Sequence, residues 1–128
     1  MIPLAECQHG QLYRVKSRNI SLGVFNQHAQ GFVGIRTKYD NDFLDFEIHW
    51  EADPNYGTVQ PIEALEACPH EPTAKVIRIA TEEDVKRIIG SSNPIKVGES
   101  FSAENEPLYR WLVEKEKQYT GQIYDGNN

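Results

Sequence analysis

A chain of 128 residues is long enough to bury one hydrophobic core, because a domain of this size hides roughly two-thirds of the surface that its unfolded chain exposes. Hydrophobic residues make up 39% and charged residues 25% of the composition, which excludes a largely disordered chain. The formal net charge of −6 argues against a nucleic-acid polymer as partner, since such binding relies on cations that neutralise phosphates. It is compatible with a small phosphate ligand, which needs only a few well-placed cations.

The N-terminus and the cysteines bear on the compartment. Residues 1–6 show neither the basic segment nor the long apolar stretch of a signal peptide, and no apolar run approaches the ~20 residues of a membrane-spanning helix. Cys7 and Cys68 belong to no CxxC motif and are predicted to be free thiols, as in a reducing compartment. We therefore expect a cytoplasmic protein without a membrane partner.

The first half of the chain alternates apolar and polar side chains with the period of two that is typical of β-strands. Strands are predicted over residues 11–16, 21–26, 31–38, 42–50 and, later in the chain, 75–79. The fourth is the strongest, because its apolar side chains recur at every second position from Leu44 to Trp50. Residues 52–61, which contain two prolines, are predicted to be a loop, and residues 62–67 a single helical turn.

The third and fourth strands are predicted to form a hairpin around residues 39–42, since Asp and Asn favour turns. A loop of those four residues places Arg36 opposite Asp45. Ile35 then lies on an apolar face that is predicted to be core, whereas Arg36 and Phe32 share a face that is predicted to meet solvent or a site. The pair of Arg36 and Asp45 either sets the register or holds Arg36 as a cation for phosphate.

Two helices are predicted in the C-terminal part. The boundaries are about 82–89 for the first helix, 91–102 for a segment that is mostly loop, about 105–119 for the second helix and 121–128 for a frayed tail. Thr81 can cap the first helix, and acidic side chains fill its first turn. The sequence thus predicts an α+β protein of one domain, residues 1–128, with an N-terminal antiparallel sheet at about 11–80 and two C-terminal helices.

The sequence contains no complete motif for a metal, a cofactor or catalysis. Glu47, His49 and Glu51 share one strand face, but such side chains stand parallel about 7 Å apart and would have to converge to ligate a metal. No serine lies in a G-x-S-x-G elbow, and neither a P-loop nor a dinucleotide fingerprint is present. We predict no metal site, no cofactor and no catalytic residue.

Several segments between Leu12 and Pro61 resemble a known group of proteins. They are Lys16-Ser17-Arg18-Asn19, Gly31-Phe32-Val33-Gly34-Ile35-Arg36, His49-Trp50 and Tyr56-Gly57-Thr58-Val59, followed by Pro61. This block of about 50 residues resembles short phage and prophage reading frames of the Thoeris anti-defence "sponge" type. Members of that family bind cyclic ADP-ribose-type signals, and some bind cyclic oligonucleotides. They sequester the signal without cleaving it and so silence antiphage immunity.

The resemblance implies a phage-type anti-defence protein that captures a cyclic nucleotide in the host cell cytoplasm. It also implies a homo-oligomer with ligand sites at subunit interfaces. Two other classes of function stay open. One is a small protein–protein inhibitor or interaction module that has no nucleotide ligand and acts through its acidic surface. The other is an enzyme that degrades the nucleotide.

Such a ligand presents a flat base and a doubly charged pyrophosphate. An aromatic side chain can stack on the base, and the fork of an arginine can hold two phosphate oxygens at once. The side chains with this chemistry that lie outside the predicted core are the candidate ligand-binding residues. They are Arg18, Asn19, Arg36, Tyr56, Tyr109 and Arg110.

Overall fold

The computed structural model describes residues 1–18, 20–36, 45–50, 52–53, 57–87 and 95–121. For residues 36, 45–50, 52–53 and 57 it describes the backbone alone. A short 3₁₀ turn at Leu4–Glu6 precedes the other elements. These are β1 (Gln11–Lys16), β2 (Leu22–Asn26), β3 (Gly31–Arg36), β4 (Asp45–Trp50), β5 (Ala52–Asp53), β6 (Gly57–Thr58), β7 (Gln60–Ala67), β8 (Lys75–Ile79), α1 (Glu82–Arg87), β9 (Ser100–Glu104) and α2 (Glu106–Thr120).

The described chain forms two compact units, residues 1–74 with 106–121 and residues 75–105. The predicted fold class is confirmed, because strands dominate the N-terminal part and helices occupy both of the predicted C-terminal positions. The single-domain organisation stays a prediction, and the predicted tail from 122 onward lies outside the described residues. No helix in the described part of the chain is both long and apolar enough to cross a membrane.

The first unit is built on a five-stranded antiparallel sheet with the order β4-β3-β2-β1-β7. The predicted register of the β3–β4 hairpin is confirmed, with Arg36 opposite Asp45 and Val33 opposite Ile48. The turn at 39–42 and the side chains of β4 lie outside what the structure describes. A further two-stranded ladder pairs β5 with β6.

The central strands β1, β2 and β3 carry buried side chains on both faces of the sheet. On the first face, Leu12, Val24 and Val33 pack with Leu108 and Leu112 of α2. The apolar residues of the second face are Tyr13, Val15, Ile20, Phe25, Phe32 and Val59, against which Ile2 and Leu4 of the N-terminal segment pack. The expectation that the face of Phe32 meets solvent or a site is therefore wrong at this position, where the side chain is 0% exposed.

The segment predicted as a helical turn at 62–67 is instead part of strand β7. Its Glu, Ala and Leu residues favour a helix, but this preference is weak compared with tertiary pairing. The outer edge of β1 carries backbone N–H and C=O groups that need partners once the core forms, and β7 supplies them from Gln11 opposite Ala67 to Lys16 opposite Gln60. The ladder shifts register twice along the way.

Parts of two predicted loops are also strands. Within the predicted loop 52–61, β5 and β6 form a short ladder. Within the predicted loop 91–102 and just beyond it, β9 pairs with β8 in an antiparallel hairpin. The alternation of apolar and polar residues in β9 is weak, because Phe101 is the only large apolar side chain in the strand. Pairing with β8, and not the local sequence pattern, makes this segment a strand.

The second unit places α1 beside this hairpin through one buried carboxylate. Asp84 is 1% exposed, and its oxygens accept hydrogen bonds from the guanidinium groups of Arg78 and Arg87 at 2.6–2.7 Å. The backbone N–H of Thr81 donates to the same carboxylate at 2.7 Å, which closes the first turn of the helix. The hydrogen bonds from Arg78 and then from Thr81 hold the pKa of Asp84 far below its ordinary value of 3.8.

We expect Asp84→Asn to lower the melting temperature of the protein by several degrees at pH 7. The folded state favours the ionised carboxylate, so the stability that it contributes is complete above the ordinary pKa of 3.8 and is lost as the pH falls below that value. The difference between parent and variant should therefore shrink between pH 5 and pH 3 in thermal melts of the full chain followed by circular dichroism. Glu83→Gln, an exposed acid on the same turn, is the matched control and should melt like the parent. A constant difference across this range would contradict the assignment.

Candidate functional site

An open cavity of about 350 Å³ lies where β1 ends and β7 begins. The described residues that line it are Lys16, Ser17, Arg18, Thr58 and Gln60. The register of the sheet explains why they meet, because Lys16, the last residue of β1, is paired with Gln60, the first residue of β7. Small-molecule sites are commonly concave and lie at such element ends, on loops carried by a rigid scaffold.

The segment that crosses the cavity is anchored in the core. Val59 is 0% exposed and packs with Val15 and Ile20 in the core of the second sheet face. It stands between Thr58 and Gln60, so its burial fixes both lining residues against the sheet. The backbone N–H of Val15 donates to the carbonyl of Ser21 at 3.0 Å, and this bond closes the chain break that carries Ser17 and Arg18.

The described residues that line the cavity are cationic or polar. Lys16 and Arg18 are exposed cations, and the guanidinium of an arginine can hold two oxygens of a phosphate. Ser17 and Thr58 add hydroxyl donors, and Gln60 adds an amide. The five described lining residues include no carboxylate, although the protein as a whole carries a net charge of −6. Both charged side chains among the five described lining residues are therefore cationic, on a protein that is acidic overall.

The structure brings two of the predicted binding segments to this cavity. Arg18, from the predicted strand break, lines it directly, and Thr58 belongs to the Tyr56-Gly57-Thr58 segment. Asn19 and Tyr56 lie outside the described residues. Each is a near neighbour in sequence of a residue that lines the cavity, so their assignment as ligand-binding residues stays a prediction.

The other three candidates are placed elsewhere on the first unit. Arg36 ends β3 opposite Asp45, and its side chain lies outside the described part of the structure. Tyr109 is half-buried and packs against the core of the first sheet face. Arg110 is 80% exposed, with Glu106 at 3.7 Å one helical turn earlier. Neither Tyr109 nor Arg110 is among the described residues that line the cavity.

The candidate residues predicted from the sequence do not include Lys16, Ser17 or Gln60. The alternation predicts Lys16 as the end of a strand and Gln60 as part of a loop, whereas the structure makes Gln60 the first residue of β7. Treating residues 60–67 as a strand beside β1 would have brought the two together, since two antiparallel strands of similar length pair end to end. The segment itself gives little signal for that interpretation, because proline, glutamate and alanine are all depleted in strands.

A cluster of polar side chains away from the cavity links α2 to β7. Glu66 accepts hydrogen bonds from Lys115 at 2.7 Å and from the hydroxyl of Tyr119 at 2.5 Å. The bond from Lys115, followed by that from Tyr119, lowers the pKa of Glu66, whereas the bond to Glu66 raises the pKa of Tyr119. Lys115 also lies over the ring of Trp111, 5.3 Å from its centre. The polar groups of Glu66, Lys115 and Tyr119 thus pair with one another across the contact between α2 and β7, and we assign the cluster a structural role.

Among the described residues, no group of three or more His, Cys, Asp and Glu side chains is arranged to hold a metal ion. The side chains of Glu47 and His49, and the whole of Glu51, lie outside the described part of the chain, so the predicted absence of a metal there stays a prediction. Cys7 and Cys68 are free thiols, as predicted. They pack against opposite faces of the sheet.

Comparison of the chain with protein-family models, with curated proteins and with solved structures found no match. The arrangement of the site itself is thus the basis for a functional proposal.

Proposed function

We propose that this protein binds a small phosphate-bearing ligand of the cyclic-nucleotide type and holds it without cleaving it. The observation that carries the proposal is the cavity at the end of β1, where Lys16, Arg18 and two hydroxyl groups converge. In a phage-infected cell, capture of such a signal would silence the defence that depends on it, as the sequence resemblance implies.

The size of the cavity is consistent with part of such a ligand. Its volume of about 350 Å³ lies at the small end of the range of roughly 300–1,000 Å³ for small-molecule sites. The cavity therefore suits the phosphate and sugar portion of the ligand. Tyr56, which the sequence predicts to stack on the base, would add an interaction worth roughly 1–3 kcal/mol.

Binding without cleavage is favoured by the types of side chain that line the cavity. The side chains of all five described lining residues carry hydrogen-bond donors, and those of Lys16 and Arg18 are positively charged. Groups that usually accept a proton in hydrolysis, such as carboxylate and imidazole, are not among these five.

We expect Arg18→Ala to weaken capture by about 1.5–3 kcal/mol, the range for a hydrogen bond to a charged group. Calorimetric titration of the folded variant with a panel of cyclic nucleotides, chosen after a thermal-shift screen of the parent, measures the loss. Lys16→Ala should weaken binding in the same way. Lys96→Ala removes an exposed cation from the second unit and is the matched control, which should bind like the parent.

The outcomes separate the classes of function. Intact ligand released from the heated complex supports sequestration, whereas altered ligand identifies an enzyme. Absence of a thermal shift with every nucleotide would contradict the proposal and favour the protein-binding alternative. If Arg18→Ala and Lys16→Ala both bind like the parent, the cavity is not the site.

Two further variants test how far the site extends. Tyr56→Ala and Arg110→Ala are predicted from the sequence to weaken capture without disturbing the fold. A loss for Tyr56→Ala alone would confine the site to the cavity and its adjoining segment.

The homo-oligomer implied by the resemblance also stays a prediction, and sedimentation of the ligand complex tests it.

A further inference from the structure

The hairpin of β8 and β9 has one face that is exposed and partly apolar. Ile77 is 79% exposed and Ile79 is 57% exposed, although both are large aliphatic side chains. Val97, near the start of β9, is 59% exposed as well. We call the exposed side of the hairpin its outer face. Its residues are Lys75, Ile77, Ile79, Ser100, Ser102 and Glu104.

The opposite side of the hairpin is already in use. Arg78 points from it to the carboxylate of Asp84 in α1, and its guanidinium lies 4.9 Å from the ring centre of Phe101. A rotation of the hairpin that buried the outer face against α1 would therefore break the contact between Arg78 and Asp84. Neighbouring exposed isoleucines on such a sheet are typical of an interaction surface.

We propose that the outer face is the surface through which two copies of this chain associate face to face. The register of the hairpin carries the proposal, because it places the large side chains on one strand and the small ones on the other. Ile77 is opposite Ser102, and Ile79 is opposite Ser100. A two-fold axis parallel to the strands, lying between two such faces, sets each isoleucine over a serine of the other copy. Large side chains then fit over small ones, as in packed sheets.

The same rotation also matches the charges. Lys75 is opposite Glu104 at one end of the hairpin. Rotation about the axis keeps the position along the strand and exchanges the two strands, so Lys75 of each copy lies over Glu104 of the other. The same two-fold rotation thus pairs large side chains with small ones and positive charges with negative ones. An unrelated partner would need both of these patterns on its own surface. A second copy of the chain provides both patterns already.

The outer face is only one hairpin wide, so the association is expected to be weak. A stable interface buries about 800 Å² on each partner, and a patch of six residues supplies less than that. We therefore expect a dimer that forms at high micromolar concentration and dissociates on dilution. The inference does not depend on the proposed ligand.

Sedimentation velocity of the full chain over a concentration series up to about 1 mM tests the inference. The parent should show a concentration-dependent dimer. Ile77→Lys should raise its dissociation constant about tenfold or more, because it puts a charge where an isoleucine is buried. Ile62→Lys changes a 42% exposed isoleucine on β7 and is the matched control, which should associate like the parent. Circular dichroism confirms that each variant is folded.

A charge exchange distinguishes contact between copies from contact within one copy. Lys75→Glu and Glu104→Lys should each prevent self-association, since like charges then meet twice across the interface. A mixture of the two single variants should associate again, because every like pair across the interface becomes an opposite pair, while the like pair that each substitution creates within its own hairpin remains. A parent that stays monomeric at about 1 mM would overturn the inference. So would an Ile77→Lys variant that associates like the parent, single charge variants that do so, or a mixture that stays monomeric.

Discussion

Phe32→Ala is expected to lower the free energy of unfolding by about 3–5 kcal/mol, the usual cost of removing a fully buried phenylalanine. The side chain is 0% exposed on the second face of the sheet. Its ring lies 5.2 Å from that of Phe25 and 6.1 Å from that of Tyr13, centre to centre. Aromatic pairs at these separations add to the free energy of burial, and the alanine would leave a cavity between them.

Urea unfolding at pH 7 measures the effect. Ile62→Ala, in the same sheet but 42% exposed, is the control and should change the free energy of unfolding by about 1 kcal/mol or less. A loss below about 1 kcal/mol for Phe32→Ala would mean that the second face is solvated after all, as the alternation of β3 and β4 alone suggests.

The strands that the sequence predicts well are those whose signals are local. The register of β3 and β4 follows from a four-residue turn and from period-two alternation, and the structure places Arg36 opposite Asp45 as that argument requires. The burial of Phe32 is different. A strand with polar neighbours on one face is normally solvated there, but here Ile2 and Leu4 of the N-terminal segment are among the residues that pack on that face and make it a second core.

The candidate site was predictable only in part, for a similar reason. Arg18 lies in a chain break that the sequence shows directly, because its neighbours interrupt the alternation. Its companions Lys16 and Gln60 meet through the pairing of β1 with β7, a contact between residues 44 positions apart in the sequence. The composition of residues 60–67 favours a helix and conceals that pairing. Non-local pairing therefore decides which polar side chains converge, and local pattern does not.

Gly34→Ala is expected to destabilise the protein by about 3 kcal/mol, near the upper end of the usual range for overpacking. A Cβ at this position would lie 2.6 Å from the backbone carbonyl oxygen of Leu22 and 3.1 Å from a methyl group of Ile20. The carbonyl belongs to the neighbouring strand β2, so it cannot retreat without straining the pairing of β2 with β3. Glycine is thus required here because Ile20 and the neighbouring backbone already fill the space.

Two comparisons identify the cause of this loss in urea unfolding. Gly10→Ala tests backbone conformation alone, since Gly10 has φ +79° and no atom within 4 Å of an added Cβ. It should cost only about 1–2 kcal/mol. In an Ile20→Val background, Gly34→Ala should still cost nearly as much as in the parent, because the carbonyl of Leu22 remains in place. Full recovery in that background would show that the side chain of Ile20, and not the backbone of β2, sets the requirement for glycine.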